Sequence, residues 1–150
     1  IATDLEHSIV LLEDTIARNN LQENMTAQIL DWADAASSTC LTSADLVFGA
    51  DLTYSDTTMP LLFSVICIAC SNGAAALLAH EHRGSQKEFE QALTNGIAIA
   101  ECKLAWEELP SHFWACTGEA IPGISVYLIG DPEALGFSEG PALVIASLCE

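Results

Sequence analysis

Three aspartates occupy equivalent places in the sequence, since each of them ends a short, mostly apolar run. They are Asp4, Asp31 and Asp51, and a fourth apolar run ends in the polar stretch of residues 80–83. A carboxylate at such a place can accept hydrogen bonds from hydroxyl groups, bind an ammonium group, or simply cap the helix that follows. The recurrence predicts one binding site, provided that the preceding runs are strands of a sheet.

The runs before these polar residues have the length and composition of buried β-strands. They cover residues 1–3, 27–30, 45–49 and 74–79, and two later strand candidates are residues 97–104 and 125–129. Continuous rather than alternating apolarity is typical of strands that are covered on both faces. Helical spacing of apolar residues predicts a helix over residues 5–16, and further helices are predicted over residues 59–70 and 86–93, the last ended by Asn95 and Gly96.

Strands that alternate with helices indicate an open, mostly parallel α/β sheet. We expect the last two strands to form an antiparallel pair at one edge. Residues 33–43 are predicted to be a loop or weak helix, residues 106–123 a long connection, and the apolar run 142–148 has no assigned place. Ligands of such sheets bind outside the carboxyl ends of the strands, which is where the three aspartates stand.

Composition bounds the class of protein. The chain has 150 residues, 51% of them hydrophobic, which suits one globular domain. Its net charge is −17, with four basic residues. We therefore expect it to bind neither nucleic acid nor membranes, and we expect any protein partner to be basic. Six cysteines without a signal segment predict reduced thiols in a cytoplasmic or nuclear protein.

Three ordered segments resemble the family 16 lysine methyltransferases, which are class I enzymes dependent on S-adenosylmethionine. The segments are Ile1-Ala2-Thr3-Asp4 followed by Asn19-Asn20-Leu21, then Leu30-Asp31-Trp32, then Asp45-Leu46-Val47-Phe48-Gly49-Ala50-Asp51-Leu52-Thr53-Tyr54. The resemblance covers roughly residues 1–104 and again residues 125–129. It implies a doubly wound, Rossmann-like sheet and transfer of methyl groups to a lysine side chain of a protein substrate.

The resemblance also implies roles for single residues. In the cofactor site, Asp4 would accept hydrogen bonds from the ribose hydroxyls, Trp32 would lie against the adenine, and Asp31 would contact the adenine amine or support its turn. Ala50 would line the cofactor wall. Asp51 and Tyr54, the D-x-x-Y pair, would hold the target amine. Arg83 is a further candidate for substrate contact, and no metal is required.

The family's first strand and its glycine-rich turn have no counterpart here, because none of the nine glycines forms a G-x-G pair. In the family fold that strand lies between residues 1–3 and 45–50. The resemblance therefore implies that residues 1–150 are a partial methyltransferase domain lacking its first strand. We expect this chain alone to bind S-adenosylmethionine poorly and to be dimeric or poorly soluble, and the full-length protein to be a monomer.

Other functions remain open at the level of sequence. The same fold could serve as a non-catalytic acidic binding protein, or as a nicotinamide-cofactor oxidoreductase, because an acid after the second strand also suits NAD. A histidine or a small molecule could be the methyl acceptor. Cys67-x-x-Cys70 with His80-x-His82 has the spacing of a zinc site, although cysteines on an apolar helix are usually core residues.

Overall fold

The computed structural model describes residues 1–53, 55–82, 86–99, 103–111 and 122–133. Tyr54, Arg83 and the apolar run 142–148 lie outside the described residues, so the expectations placed on them stay predictions. In the part of the chain that is described, no helix is long and apolar enough to cross a membrane.

A small parallel sheet forms the N-terminal part of the fold. Its strands are β1 (Ala2–Asp4) and β2 (Ala27–Ile29), paired in the register Ala2 to Ala27. They are joined by a 3₁₀ helix (Glu6–Ser8) and by α1 (Ile9–Arg18), which turns Ile16 into the interior. The predicted strand–helix–strand unit at residues 1–30 is confirmed.

A second sheet has four strands in the order β3-β4-β6-β5. They are β3 (Leu46–Ala50), β4 (Ala75–Glu81), β5 (Ala105–Glu108) and β6 (Ile124–Gly130). β3 and β4 are parallel, whereas β6 is antiparallel to both β4 and β5. The four predicted parallel strands are present but form two sheets rather than one, and the last two strands form the expected antiparallel pair at one edge, with different bounds for β5.

Helices cover the second sheet and supply most of the core. They are α3 (Met59–Ser71) and α4 (Gln86–Ile99), while a 3₁₀ helix (Trp32–Ser37) and the short α2 (Thr39–Thr42) precede β3. Pro60 stands in the first turn of α3, where its missing N–H costs no hydrogen bond. The core forms where apolar side chains of α3 and α4 meet the inner face of β4 and β6.

The predicted end of the helix at residues 86–93 and the predicted strand at residues 97–104 are wrong. Gly96 does not end α4, which continues to Ile99, and the edge strand is Ala105–Glu108 rather than residues 97–104. A side chain at Gly96 would come within 2.5 Å of the Phe63 ring, so the glycine permits close approach of α4 to α3. Leu93 and Ile97, four residues apart, are both buried, which is helical rather than strand periodicity.

Candidate functional site

A cavity of about 680 Å³ separates the two sheets. Residues 1–3 at β1 and residues 45–49 at β3 lie on opposite sides of it, and Trp32 and side chains of α3 complete the wall. Among the described residues, no strand lies between β1 and β3. The central strand that the resemblance places between residues 1–3 and 45–50 stays a prediction.

Apolar side chains on both sides of the cavity are exposed. Phe48 of β3 is 79% exposed, and Ile1, before β1, is also largely exposed. On the same strand, Val47 instead packs against α3, as the alternation of side chains along a strand requires. One face of β3 is therefore covered and the other is open to solvent.

Asp4 ends β1 with an exposed carboxylate. Its Oδ1 accepts a hydrogen bond of 2.7 Å from the backbone N–H of Leu5, and its carbonyl accepts one of 2.9 Å from Leu30 N–H. No other hydrogen bond joins this carboxylate to the described part of the chain. A carboxylate offers about four acceptor positions, so most of them are available to hydroxyl groups of a ligand.

Asp31 and Trp32 begin the 3₁₀ helix after β2. The Asp31 side chain caps that helix, since its Oδ1 accepts a hydrogen bond of 2.9 Å from Ala33 N–H. Trp32 is half-buried, packs against both main apolar clusters and lines the cavity. Both roles that the resemblance implies for Asp31 stay predictions. The hydrogen bond from Ala33 N–H is consistent with the role of supporting the turn.

Asp51 follows β3 in an unusual backbone conformation. Its φ angle is +56°, in the left-handed region that few residues other than glycine adopt. Ala50 pairs with Ala79 of β4, and Asp51 N–H then donates to the Ala79 carbonyl at 3.2 Å. The chain thus leaves the strand abruptly at an exposed carboxylate, and strained backbone of this kind is concentrated at functional sites.

His80 is hydrogen-bonded to the turn after β3. The sequence did not predict this contact, although His80 was named in the polar stretch of residues 80–83 and in the zinc alternative. Its Nδ1 lies 2.6 Å from Thr53 Oγ1, and its ring stacks on Phe89 of α4 with centroids 3.9 Å apart and planes at 11°. His80 is 6% exposed, although it follows the apolar core of β4 as a polar residue. Leu78 and His80 are two residues apart on β4, so their side chains lie on the same face of the strand. This spacing is the sequence signal for the burial of His80.

A second polar group lies beside His80. His82 Nε2 is 2.9 Å from Ser125 Oγ, and the buried Ser125 hydroxyl donates to the Glu108 carboxylate. Because the single hydroxyl proton of Ser125 is used on Glu108, His82 Nε2 must carry the proton that it shares with Ser125. This chain of three side chains connects the residue after β4 to β6 and β5.

The structure separates the proposed residues into two groups. Asp4, Asp31 and Trp32 belong to the first sheet and the helix beside it, whereas Ala50 and Asp51 end β3 of the second sheet. Trp32 lies in the cavity wall, as do the residues just before Asp4 and Ala50. The convergence of the whole set on one cleft therefore stays a prediction.

The alternative zinc site finds no geometric support. Cys67 and Cys70 are buried in the apolar cluster between α3 and the second sheet. The Cys70 thiol donates to the Ile129 carbonyl at 3.7 Å, and the His80 ring is engaged by Thr53. Within the described residues, no group of three or more His, Cys, Asp or Glu side chains could hold a metal ion.

Comparison with known proteins identifies the family. The sequence profile of the lysine methyltransferase family matches residues 1–96, which is more than half of the chain. The chain therefore belongs to the lysine methyltransferase family, and the resemblance in the three motifs is confirmed. No curated protein matches the chain.

Comparison of structures gives the fold independently. The chain is similar to an O-methyltransferase family protein from Burkholderia thailandensis, with a TM-score of 0.54 and 15% sequence identity. The similarity covers 85% of this chain and 42% of that protein. At this identity the likeness concerns the fold alone, and it agrees with the doubly wound α/β arrangement with an antiparallel edge.

Proposed function

We propose that the intact protein transfers methyl groups from S-adenosylmethionine to lysine side chains of a protein substrate. The observation that carries the proposal is the position of Asp51. It directly follows β3 in a family-matched segment, its backbone is in the left-handed region, and its carboxylate is exposed. Such a carboxylate can accept hydrogen bonds from an ammonium group and orient it.

The described residues fit the adenosine part of the cofactor. The Asp4 carboxylate retains acceptor positions that two vicinal hydroxyls could occupy. Trp32 offers a half-buried indole in the cavity wall, against which a purine could stack. Ala50 ends β3 with a small side chain that leaves room beside Asp51. When bound, S-adenosylmethionine supplies an electrophilic methyl group on its sulfonium.

The contribution of the protein is to align the target amine with the methyl group. A lysine with a reference pKa of about 10.4 is almost entirely protonated at neutral pH, so it must lose a proton before it can attack. Asp51 would hold the amine by hydrogen bonds, and the predicted role of Tyr54 is to complete the slot around it. Holding two reactants in line removes much of the entropic barrier, which suits a displacement that needs no metal.

The charge of the chain favours a basic protein as the substrate. The net charge of −17 raises the rate at which a lysine-rich partner is encountered, and this rate falls as salt is added. A monomeric protein of the cytoplasm or nucleus would meet such substrates.

The test uses the intact protein and methyl-labelled S-adenosylmethionine with cell extract as the source of acceptors. We expect label in protein that hydrolyses to methyllysine. Asp51→Asn should lower turnover about a hundredfold while cofactor affinity stays within about twofold, because it removes the charge that orients the amine. Asp14→Asn, an exposed aspartate on α1, is the matched control and should have no effect.

Each alternative gives a different result in the same assay. Label recovered as methylhistidine or in small molecules would exclude lysine as the acceptor. Absence of S-adenosylmethionine binding with retained binding of a basic protein would favour the non-catalytic alternative. Preference for NAD over S-adenosylmethionine in calorimetry would favour an oxidoreductase.

A further inference from the structure

We propose that His80 is a positioning residue, which holds the turn of residues 51–53 in the conformation that presents Asp51 to the target amine. The proposal rests on the function proposed above and adds a residue that acts through Thr53 rather than on the substrate. The motif D-x-x-Y places Thr53 between the two residues assigned to the amine, and the Thr53 hydroxyl is hydrogen-bonded to the buried His80 ring.

The turn contacts the second sheet through backbone and side-chain atoms of residues 51–53. Asp51 N–H donates to the Ala79 carbonyl, which extends the pairing of β3 and β4 by one residue. The Leu52 side chain lies over Gly49, where any Cβ would clash with it. Thr53 Oγ1 is hydrogen-bonded to His80 Nδ1 at 2.6 Å. Among these contacts, the Thr53–His80 hydrogen bond joins two side chains. Its removal leaves the pairing of β3 and β4 unchanged.

The position of His80 is itself fixed by its surroundings. Its backbone pairs with Ser125 of β6, and its ring stacks on Phe89 of α4. Phe89 contacts Tyr127 of β6 in turn, with centroids 5.1 Å apart. The turn after β3 is thereby connected to β6 and α4, both of which contribute buried side chains to the main apolar core. A functional group held by buried supports keeps its geometry better than one on a loop alone.

The strained backbone of Asp51 explains why such a support is needed. A non-glycine residue at positive φ is disfavoured, so a turn without fixed neighbours would leave that conformation more readily. A hydrogen bond two residues further along limits the alternatives. Loss of that bond should therefore loosen the turn and misalign the carboxylate, without altering the residues proposed to hold the cofactor.

The experiment measures turn mobility and methyl transfer separately in the intact protein. Thr53→Val keeps the shape of the side chain but removes its hydroxyl, and Thr53→Ser restores it. In Thr53→Val we expect faster hydrogen exchange of the amides at residues 51–53 and a kcat lower by about fivefold to tenfold, with the KM for S-adenosylmethionine unchanged. Thr53→Ser should be close to the parent protein in both measurements.

Two matched controls separate positioning from general destabilisation. Thr42→Val removes an exposed hydroxyl bonded within α2, and His82→Asn breaks the contact with Ser125 beside His80. Neither should accelerate exchange at residues 51–53, whereas His80→Ala should. If Thr53→Val leaves exchange unchanged, or loosens the turn without lowering kcat, His80 is not a positioning residue. If the parent protein transfers no methyl group but the exchange pattern is as expected, the proposed function fails while the hydrogen-bonded support stands.

Discussion

The two sheets of the molecule differ sharply in how well they are buried. In the second sheet, Tyr127, Leu128 and Ile129 of β6 have no exposed surface. Beside the first sheet, Val10 and Leu11 of α1 are 74% and 69% exposed although both are apolar. The hydrophobic effect therefore stabilises the second sheet strongly and the first sheet weakly.

This difference divides the proposed active site. Asp51 and its support by His80 belong to the well-packed sheet, whereas Asp4 and Trp32 belong to the poorly packed part. Regions with few buried apolar contacts open locally at low free-energy cost, and regions with many open only when the whole domain unfolds. We therefore expect the amine-holding turn to be preformed, and the cofactor side to gain order from whatever fills the cavity.

The largest expected difference between the sheets is in the cost of removing an apolar side chain. Leu78→Ala in β4 should lower the free energy of unfolding by about 2–5 kcal/mol, because it leaves a hole among fully buried neighbours. Ile29→Ala in β2 should change it by no more than about 0.5 kcal/mol, since that side chain is already exposed. Urea denaturation of both variants of the intact protein measures the comparison.

A large cost for Ile29→Ala would contradict the comparison. It would mean that β2 is buried in solution by a contact absent from the described residues. The control is the dependence of the free energy of unfolding on urea concentration. It should be the same in both variants as in the parent protein, which shows that all three unfold in the same way.

Cofactor affinity gives the second test of the division. Asp4→Ala should weaken S-adenosylmethionine binding by about 1.5–3 kcal/mol, because a charge-assisted hydrogen bond is lost. Asp51→Ala and Tyr54→Ala should abolish methyl transfer and leave that affinity largely intact, since their predicted contact is with the amine. Calorimetry on the three variants decides the matter, and equal affinity losses in all three would show that the roles are wrongly divided.

Much of the strand pattern could be predicted from the sequence. Strands were expected at residues 1–3, 27–30, 45–49 and 74–79 and occur within about one or two residues of those bounds, at β1, β2, β3 and β4. Short, mostly apolar runs, each followed by a polar residue, are typical of strands in an α/β sheet. The aspartates after β1 and β3 were located by the same signal.

What could not be predicted depends on contacts between distant residues. Asn95 and Gly96 have the local composition of a helix end, yet α4 passes through them because Gly96 lies against Phe63 of α3. At the start of α3 the Thr58 side chain does not cap the helix, because Thr58 Oγ1 donates to the Ser55 carbonyl. The support of the Asp51 turn by His80 joins residues 27 positions apart, beyond any local pattern.

The close approach of α4 to α3 provides a third test within the well-packed part. Gly96→Ala should lower the free energy of unfolding by about 1–3 kcal/mol, because the new methyl group would overlap the Phe63 ring. Asn95→Ala, the exposed neighbour on α4, is the control and should be neutral within about 0.5 kcal/mol. A neutral or stabilising Gly96→Ala would mean that α3 and α4 are further apart than described. The difference in packing between the second sheet and the first sheet would then be smaller.

The smallest expected effect concerns the ion pair on α1, beside the first sheet. Arg18 and Asp14 are 2.7 Å apart and both exposed, with the acid one turn before the base. That order is the favourable one on a helix, and Arg18 also stands near the negative end of the helix dipole.

Exposed pairs of this kind nevertheless contribute little, because water and salt screen both charges. Arg18→Gln should lower the free energy of unfolding by about 0.3–0.5 kcal/mol at low salt, and the loss should vanish near 1 M salt, where the screening length is about 3 Å. Combining it with Asp14→Asn isolates the interaction of the pair, which should account for most of the loss. A salt-independent loss above about 1.5 kcal/mol would mean that the pair is buried in solution against another part of the protein. The weak burial assigned to the first sheet and α1, and with it the contrast between the two sheets, would then be wrong.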